Sequence, residues 1–267
     1  MDKSGYEPVP AGCEPAPAGY EPAPSGEPAP SGCDRRQPLT GQAPRAGRVA
    51  SSPCTLFACA RDLTLRTSEG CPFAGVDLDI PAGSLFAIRG RAGSGRTSLL
   101  LTLAGRMLPT SGSLSVLGFE LPRYRAKVLR RVGLAEFPGV TDLPETLSVR
   151  AVTASELALY GRKAKVADAE AYLDAWDMAH TARMDVRDLS AEARVRFAVA
   201  LALAGGAEAV AVDSIEDGLT GTQSQRLMDF LHDVSLGVHT DGRQITVMLA
   251  CTERGLALQA DGMCSLG

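Results

Sequence analysis

The chain has 267 residues, 45% of them hydrophobic and 22% charged, with a formal net charge of -4. That is enough to bury one sizeable core, and the acidic balance excludes a nucleic-acid binder even though the run from Arg123 to Arg131 is locally basic. The seven cysteines include no C-x-x-C pair, so neither a disulfide framework nor a zinc site is indicated and a reducing cytoplasm is expected.

The first residues, MDKSGYEPVP, carry no apolar segment of the export type. The longest apolar stretch, FAVALALAGGAEAVAV, is interrupted by Gly205, Gly206 and Glu208 before it can span a bilayer. Residues 1–53 repeat Glu-Pro-x-Pro from Glu7, Glu14, Glu21 and Glu27 and hold few large aliphatic side chains. Proline fixes φ and removes donors, so a disordered, solvated arm of polyproline character is expected. It reads as a linker or tail; the sharper alternative is a docking peptide that presents Tyr6 and Tyr20 to a partner.

From about Thr55, strand and helix patterns alternate, which predicts an α/β sheet with crossover helices in residues 54–267. FAGVDLDI alternates apolar and polar residues and ends at the turn Pro81-Ala82-Gly83. SLFAIRG is a short apolar strand that runs into GRAGSGRTSLL, and Leu99, Leu100, Leu103 and Met107 then fall at helical spacing from a start near Gly95. GSLSVLG reads as a strand. A helical block covers about 140–187, followed by a helix near 191–204, strand AEAVAVD, a helix near 221–235, strand QITVMLA and a short final helix.

The stretch from Gly90 nearly matches G-x-x-x-x-G-K-[ST], with Arg96 in the lysine position. Phosphate binding asks for backbone N–H groups converging at a helix N-terminus, a cation, and a hydroxyl for Mg²⁺. Gly90, Gly93 and Gly95 allow the close approach, Ser94 and Ser98 flank the turn, Arg96 keeps the charge and Thr97 brings the hydroxyl. Arginine is longer and planar, so weaker or differently shaped binding is expected. Asp213 ends an apolar strand, where a carboxylate reaches the ligand crevice and holds Mg²⁺ with Thr97.

From about residue 55 to 267 the order and spacing of GVDLDIPAGSLFAIRGRAGSGRTSLLLTLAGRMLPTSGSLSVLG, DLSAEARVRFAVALALAGGAEAVAVD, DGLTG and ITVMLACTERGLALQADGMCSLG resemble an ATP-binding cassette (ABC) ATPase. The resemblance implies a P-loop NTPase fold of ABC type, with a mixed sheet core and a helical subdomain at about 140–187. It also implies Mg-ATP held between two cassettes in a homo- or heterodimer, and a membrane permease met by an exposed apolar patch of the helical block, for which Leu157, Tyr160, Tyr172 and Trp176 are candidates; an aromatic at helical spacing is more often core, and Trp176 is read so. The chain would then be cytoplasmic, at the inner face of the membrane.

Departures from the family gather at catalytic positions. Ser214 stands where the family places its water-activating glutamate, Thr252 where it places the switch histidine, and Phe137 at the glutamine-loop position. The signature reads Leu189, Ser190, Ala191, Glu192, Ala193, and Thr220 replaces an aspartate; the aromatic that stacks on adenine is not evident near Thr67. Glu216 and Asp217 read as turn and capping residues rather than substitutes for the glutamate. Loss of a general base costs roughly 10²- to 10⁴-fold. Two readings follow: an ATP-binding transporter subunit with slow or no turnover, or a non-catalytic sensor or scaffold that recruits partners through its proline-rich arm.

Overall fold

The computed structural model describes residues 55–267 apart from 136, 162–165, 214 and 217. The proline-rich arm, Ser214 and Asp217 lie outside the described residues. Strands β1 (Leu56–Thr67) and β2 (Gly70–Pro81) open the fold as a long antiparallel hairpin. Phe73, Val76, Leu78 and Ile80 of β2 are buried while Asp77 and Asp79 between them face out, the pattern of a sheet with one wet face.

Strand β3 (Leu85–Gly90) runs into the glycine loop, and helix α1 (Arg96–Leu103) leaves it, as the sequence requires. Next come β4 (Ser111–Val116), the short β5 (Phe119–Leu121), α2 (Arg125–Leu129) and β6 (Val132–Leu134). The helical block contributes α3 (Val149–Leu159) and α4 (Val166–Ala175). The chain closes with α5 (Ala191–Leu203), β7 (Ala209–Val212), α6 (Gly221–Leu236), β8 (Thr246–Cys251), α7 (Arg254–Ala257) and β9 (Gly262–Leu266). The sequence reading ended on the short helix and missed β9, a five-residue edge strand that pairs with β3.

Two sheets result: an antiparallel one in the order β2-β1-β4-β5, and a parallel one in the order β6-β7-β8-β3-β9. The parallel strands β3, β7 and β8 are apolar on both faces, as strands covered on both sides must be. Alternation sorts them. Leu85, Ala87, Val210, Val212, Val247 and Leu249 join the core shared with α5, α6 and Trp176. Phe86, Ile88, Ala209, Ala211, Met248 and Ala250 join the core shared with Leu99, Leu100 and Leu103 of α1 and with the antiparallel sheet.

The order β7-β8-β3 places the C-terminal ends of three neighbouring parallel strands side by side. Whatever follows Gly90, Val212 and Cys251 is therefore gathered at one edge, the crevice where open α/β sheets bind ligands.

Candidate functional site

The loop after β3 turns tightly, with Ser94 N donating to Arg91 O at 3.1 Å. Gly93 and Gly95 adopt φ of +78° and +85°, left-handed values that glycine takes without a Cβ penalty. Gly95 is also the N-cap of α1, and a Cβ there would lie 2.2 Å from Pro72 O on β2. A Cβ on Gly90 would lie 2.2 Å from Ser94 Oγ. Ser94 Oγ is itself buried and has no hydrogen-bond partner among the described residues.

Thr97 Oγ1 donates to Asp213 Oδ2 at 2.6 Å across 116 residues, so the two residues expected to share a metal ion do meet. Asp213 follows β7 directly and is 9% exposed. A hydroxyl and a carboxylate at this separation are the hard oxygen donors that suit Mg²⁺. Ser98 is half-buried behind them, and its carbonyl accepts from Thr102 Oγ1 within α1.

Arg96 points elsewhere. Its Nη1 donates to Thr252 Oγ1 at 2.8 Å, on the residue that follows β8. Thr252 N in turn donates to both carboxylate oxygens of Glu216 at 2.9 Å, and Glu253 N donates to Glu216 Oε1 at 2.6 Å. Glu216, expected to serve a turn or a helix cap, has its carboxylate accepting from backbone N–H groups of the turn after β8. Next to this cluster, burial pushes the Cys251 thiol up to about 11, with Glu216 reinforcing the shift and Arg96 and Arg89 opposing it.

A cleft of about 420 Å³ opens between the loop, residues 93–98, and the β1–β2 hairpin at Thr67, Glu69, Cys71 and Pro72. None of these lining residues is aromatic, in line with the missing adenine-stacking side chain. Phe137 is fully buried, and its N–H donates to Thr141 Oγ1 at 2.9 Å, which makes it a core anchor.

The signature segment is rebuilt as a helix start. Ser190 caps α5 by accepting from Ala193 N at 3.2 Å, so its hydroxyl is engaged locally. Glu192 lies 3.9 Å from Arg196 and 3.5 Å from Arg226, two cations that offset its charge. Thr220 likewise closes a capping box with Gln223 at the head of α6.

Of the four side chains assigned to a permease-facing patch, Leu157 and Trp176 are buried and Tyr172 is half-buried, its hydroxyl donating to Ala200 O. Tyr160 is 50% exposed, beside Leu159 at 75%. These two residues border a pair of adjoining grooves of about 420 and 720 Å³ that share Leu134, Thr141, Glu156 and Ala202 between β6, α3 and α5.

The ABC transporter family model matches residues 73–215. A Methanosarcina mazei protein named for an ABC transporter ATP-binding role is 30% identical over 183 residues, covering 67% of this chain and 36% of its own length. The chain thus spans about a third of that relative. The lipoprotein-releasing system ATP-binding protein LolD of Xylella fastidiosa is 27% identical over 209 residues, 73% of this chain and 81% of LolD. Among solved structures, cbiO1 of Clostridium perfringens, described as part of the ABC transporter complex cbiONQ, superposes with a TM-score of 0.66 at 18% identity over 79% of this chain and 84% of that one.

Proposed function

Because the chain belongs to the ABC transporter family, we propose that it is an ATP-binding subunit that takes Mg-ATP at residues 90–98 and works with a membrane permease while turning ATP over slowly. The observation that carries this reading is the 2.6 Å hydrogen bond from Thr97 to Asp213, which joins the glycine loop to the strand-end carboxylate. Gly93 leaves open space beside the backbone, Gly90 and Gly95 let the loop pack closely on Ser94 and Pro72, Ser94 Oγ has no hydrogen-bond partner among the described residues, and Arg96 supplies the cation. Thr97 and Asp213 would hold the magnesium ion, which when bound offsets charge on the phosphates.

Slow turnover follows from the same geometry. Thr252 has no basic side chain to offer, and the Glu216 carboxylate is already engaged by the backbone N–H groups of Thr252 and Glu253. The grooves flanked by Leu159 and Tyr160 are the apolar surface that suits a permease segment. In this reading residues 1–53 form an arm ahead of a cassette at 54–267, on the cytoplasmic face of the membrane, and a second cassette closes over the nucleotide.

A second reading keeps nucleotide binding and drops transport: a non-catalytic sensor that recruits partners through its proline-rich arm. The engagement of Arg96 by Thr252 favours it. Calorimetry of Mg-ATP with the full chain tests the step both readings share, with Arg96→Ala and Asp213→Asn as controls. Micromolar binding that both variants lose supports it, and no heat up to millimolar ATP overturns it. Turnover at or above about 10 s⁻¹ would overturn the slow-hydrolysis part.

A further inference from the structure

The side chain in the lysine position of the glycine loop already has a partner. Arg96 opens α1 and reaches Thr252 at the end of the neighbouring strand β8. Glu216 holds Thr252 and Glu253 through their backbone N–H groups. Glu216 belongs to the same short segment as Asp213, and Asp213 accepts from Thr97, the residue after Arg96. Two braces therefore join the head of α1 to Asp213 and Glu216, one directly through Thr97 and the other by way of Thr252.

We propose that Arg96, Thr252 and Glu216 form a latch that is closed in the nucleotide-free chain and opened by the phosphates of a bound nucleotide; this rests on the nucleotide reading above and gives the substituted residues a job. A threonine hydroxyl offers Arg96 one neutral acceptor. A phosphate offers the planar guanidinium fork two charged oxygens, so a bidentate pair of opposite charges replaces a single bond to a neutral acceptor. The nucleotide thus binds the unlatched arrangement better than the latched one, and that difference is what shifts the equilibrium. Once Arg96 turns to phosphate, the β8–α7 turn loses its tie to the loop and keeps the one to Glu216. Thr252 and Glu216 are positioning residues, since neither has to touch the nucleotide for the turn to register it.

Hydrogen–deuterium exchange of residues 250–258 in the full chain tests the latch. In the nucleotide-free chain Arg96→Ala should speed exchange of the Thr252 and Glu253 amides about three- to tenfold, the worth of one hydrogen bond. Saturating Mg-ATP should give the wild-type chain a similar rise. Thr252→Val, which keeps Arg96 and removes its acceptor, should bind Mg-ATP about three- to tenfold tighter by calorimetry. Unchanged protection in Arg96→Ala sinks the latch whether or not ATP binds, as does a wild-type turn that stays protected while calorimetry records binding. If the variant loosens the turn but calorimetry finds no nucleotide at all, the nucleotide reading fails and the opening step falls with it.

Discussion

Replacing Gly95 with alanine should cost far more than the same change two residues earlier. Both positions sit at positive φ, +78° for Gly93 and +85° for Gly95, so each alanine carries a left-handed penalty of roughly 1–2 kcal/mol. At Gly93 nothing lies within 4 Å of the new Cβ, and the cost ends there. At Gly95 the Cβ would stand 2.2 Å from Pro72 O and 2.7 Å from Pro72 C, both backbone atoms of β2 that no rotamer change can clear. Forced separation of packed segments adds about 1–3 kcal/mol, which brings Gly95→Ala to about 2–5 kcal/mol in all. Urea unfolding of both variants measures the difference. A Gly95→Ala protein no less stable than Gly93→Ala would refute the close approach of the loop to β2.

Thr97→Val removes the hydroxyl that meets Asp213 and should largely abolish the advantage Mg²⁺ gives to ATP binding, compared with EDTA by calorimetry; an unchanged advantage would separate these residues from the metal. With its thiol pushed up to about 11, Cys251 is about one part in a thousand thiolate at pH 8. Peptide-mapped alkylation should mark exposed Cys71 well before Cys251, and similar rates would refute the burial. The raised value also sets a sign. Below the unfolded thiol's value near 9 the protonated Cys251 contributes its full stabilisation, and between there and about 11 the unfolded chain sheds the proton first, so that contribution is lost as pH rises. Cys251→Ala should flatten that alkaline decline in the melting temperature, and an unaltered decline would place its cause elsewhere.

The strand–loop–helix around Gly90 to Leu103 was legible because its signals are contiguous: an apolar run, glycines where φ turns positive, and leucines at helical spacing. Asp213 was legible for the same reason, as the first carboxylate after an apolar strand. The short strands β5, β6 and β9 were not, since three to five residues carry too little periodicity to separate a strand from a turn. Trp176, expected in the core, is buried there, whereas the burial of Leu157 was hidden, because a helix has several faces and only its neighbours decide which of them is wet.

By itself the sequence determined the register of the loop and the family-like order of its segments, and it marked 137 and 252 as positions where the chain departs from the family pattern it resembles. Only the tertiary structure decided what the replacements do. Arg96 and Thr252 are 156 residues apart and meet because β3 and β8 are adjacent parallel strands ending at the same edge. Glu216 faces the turn after β8, and Glu192 lies against Arg196 and Arg226. Caps and turns are settled by residues next to one another in the chain, whereas the partner of a long charged side chain is set by sheet order, which brings together segments the chain itself keeps far apart.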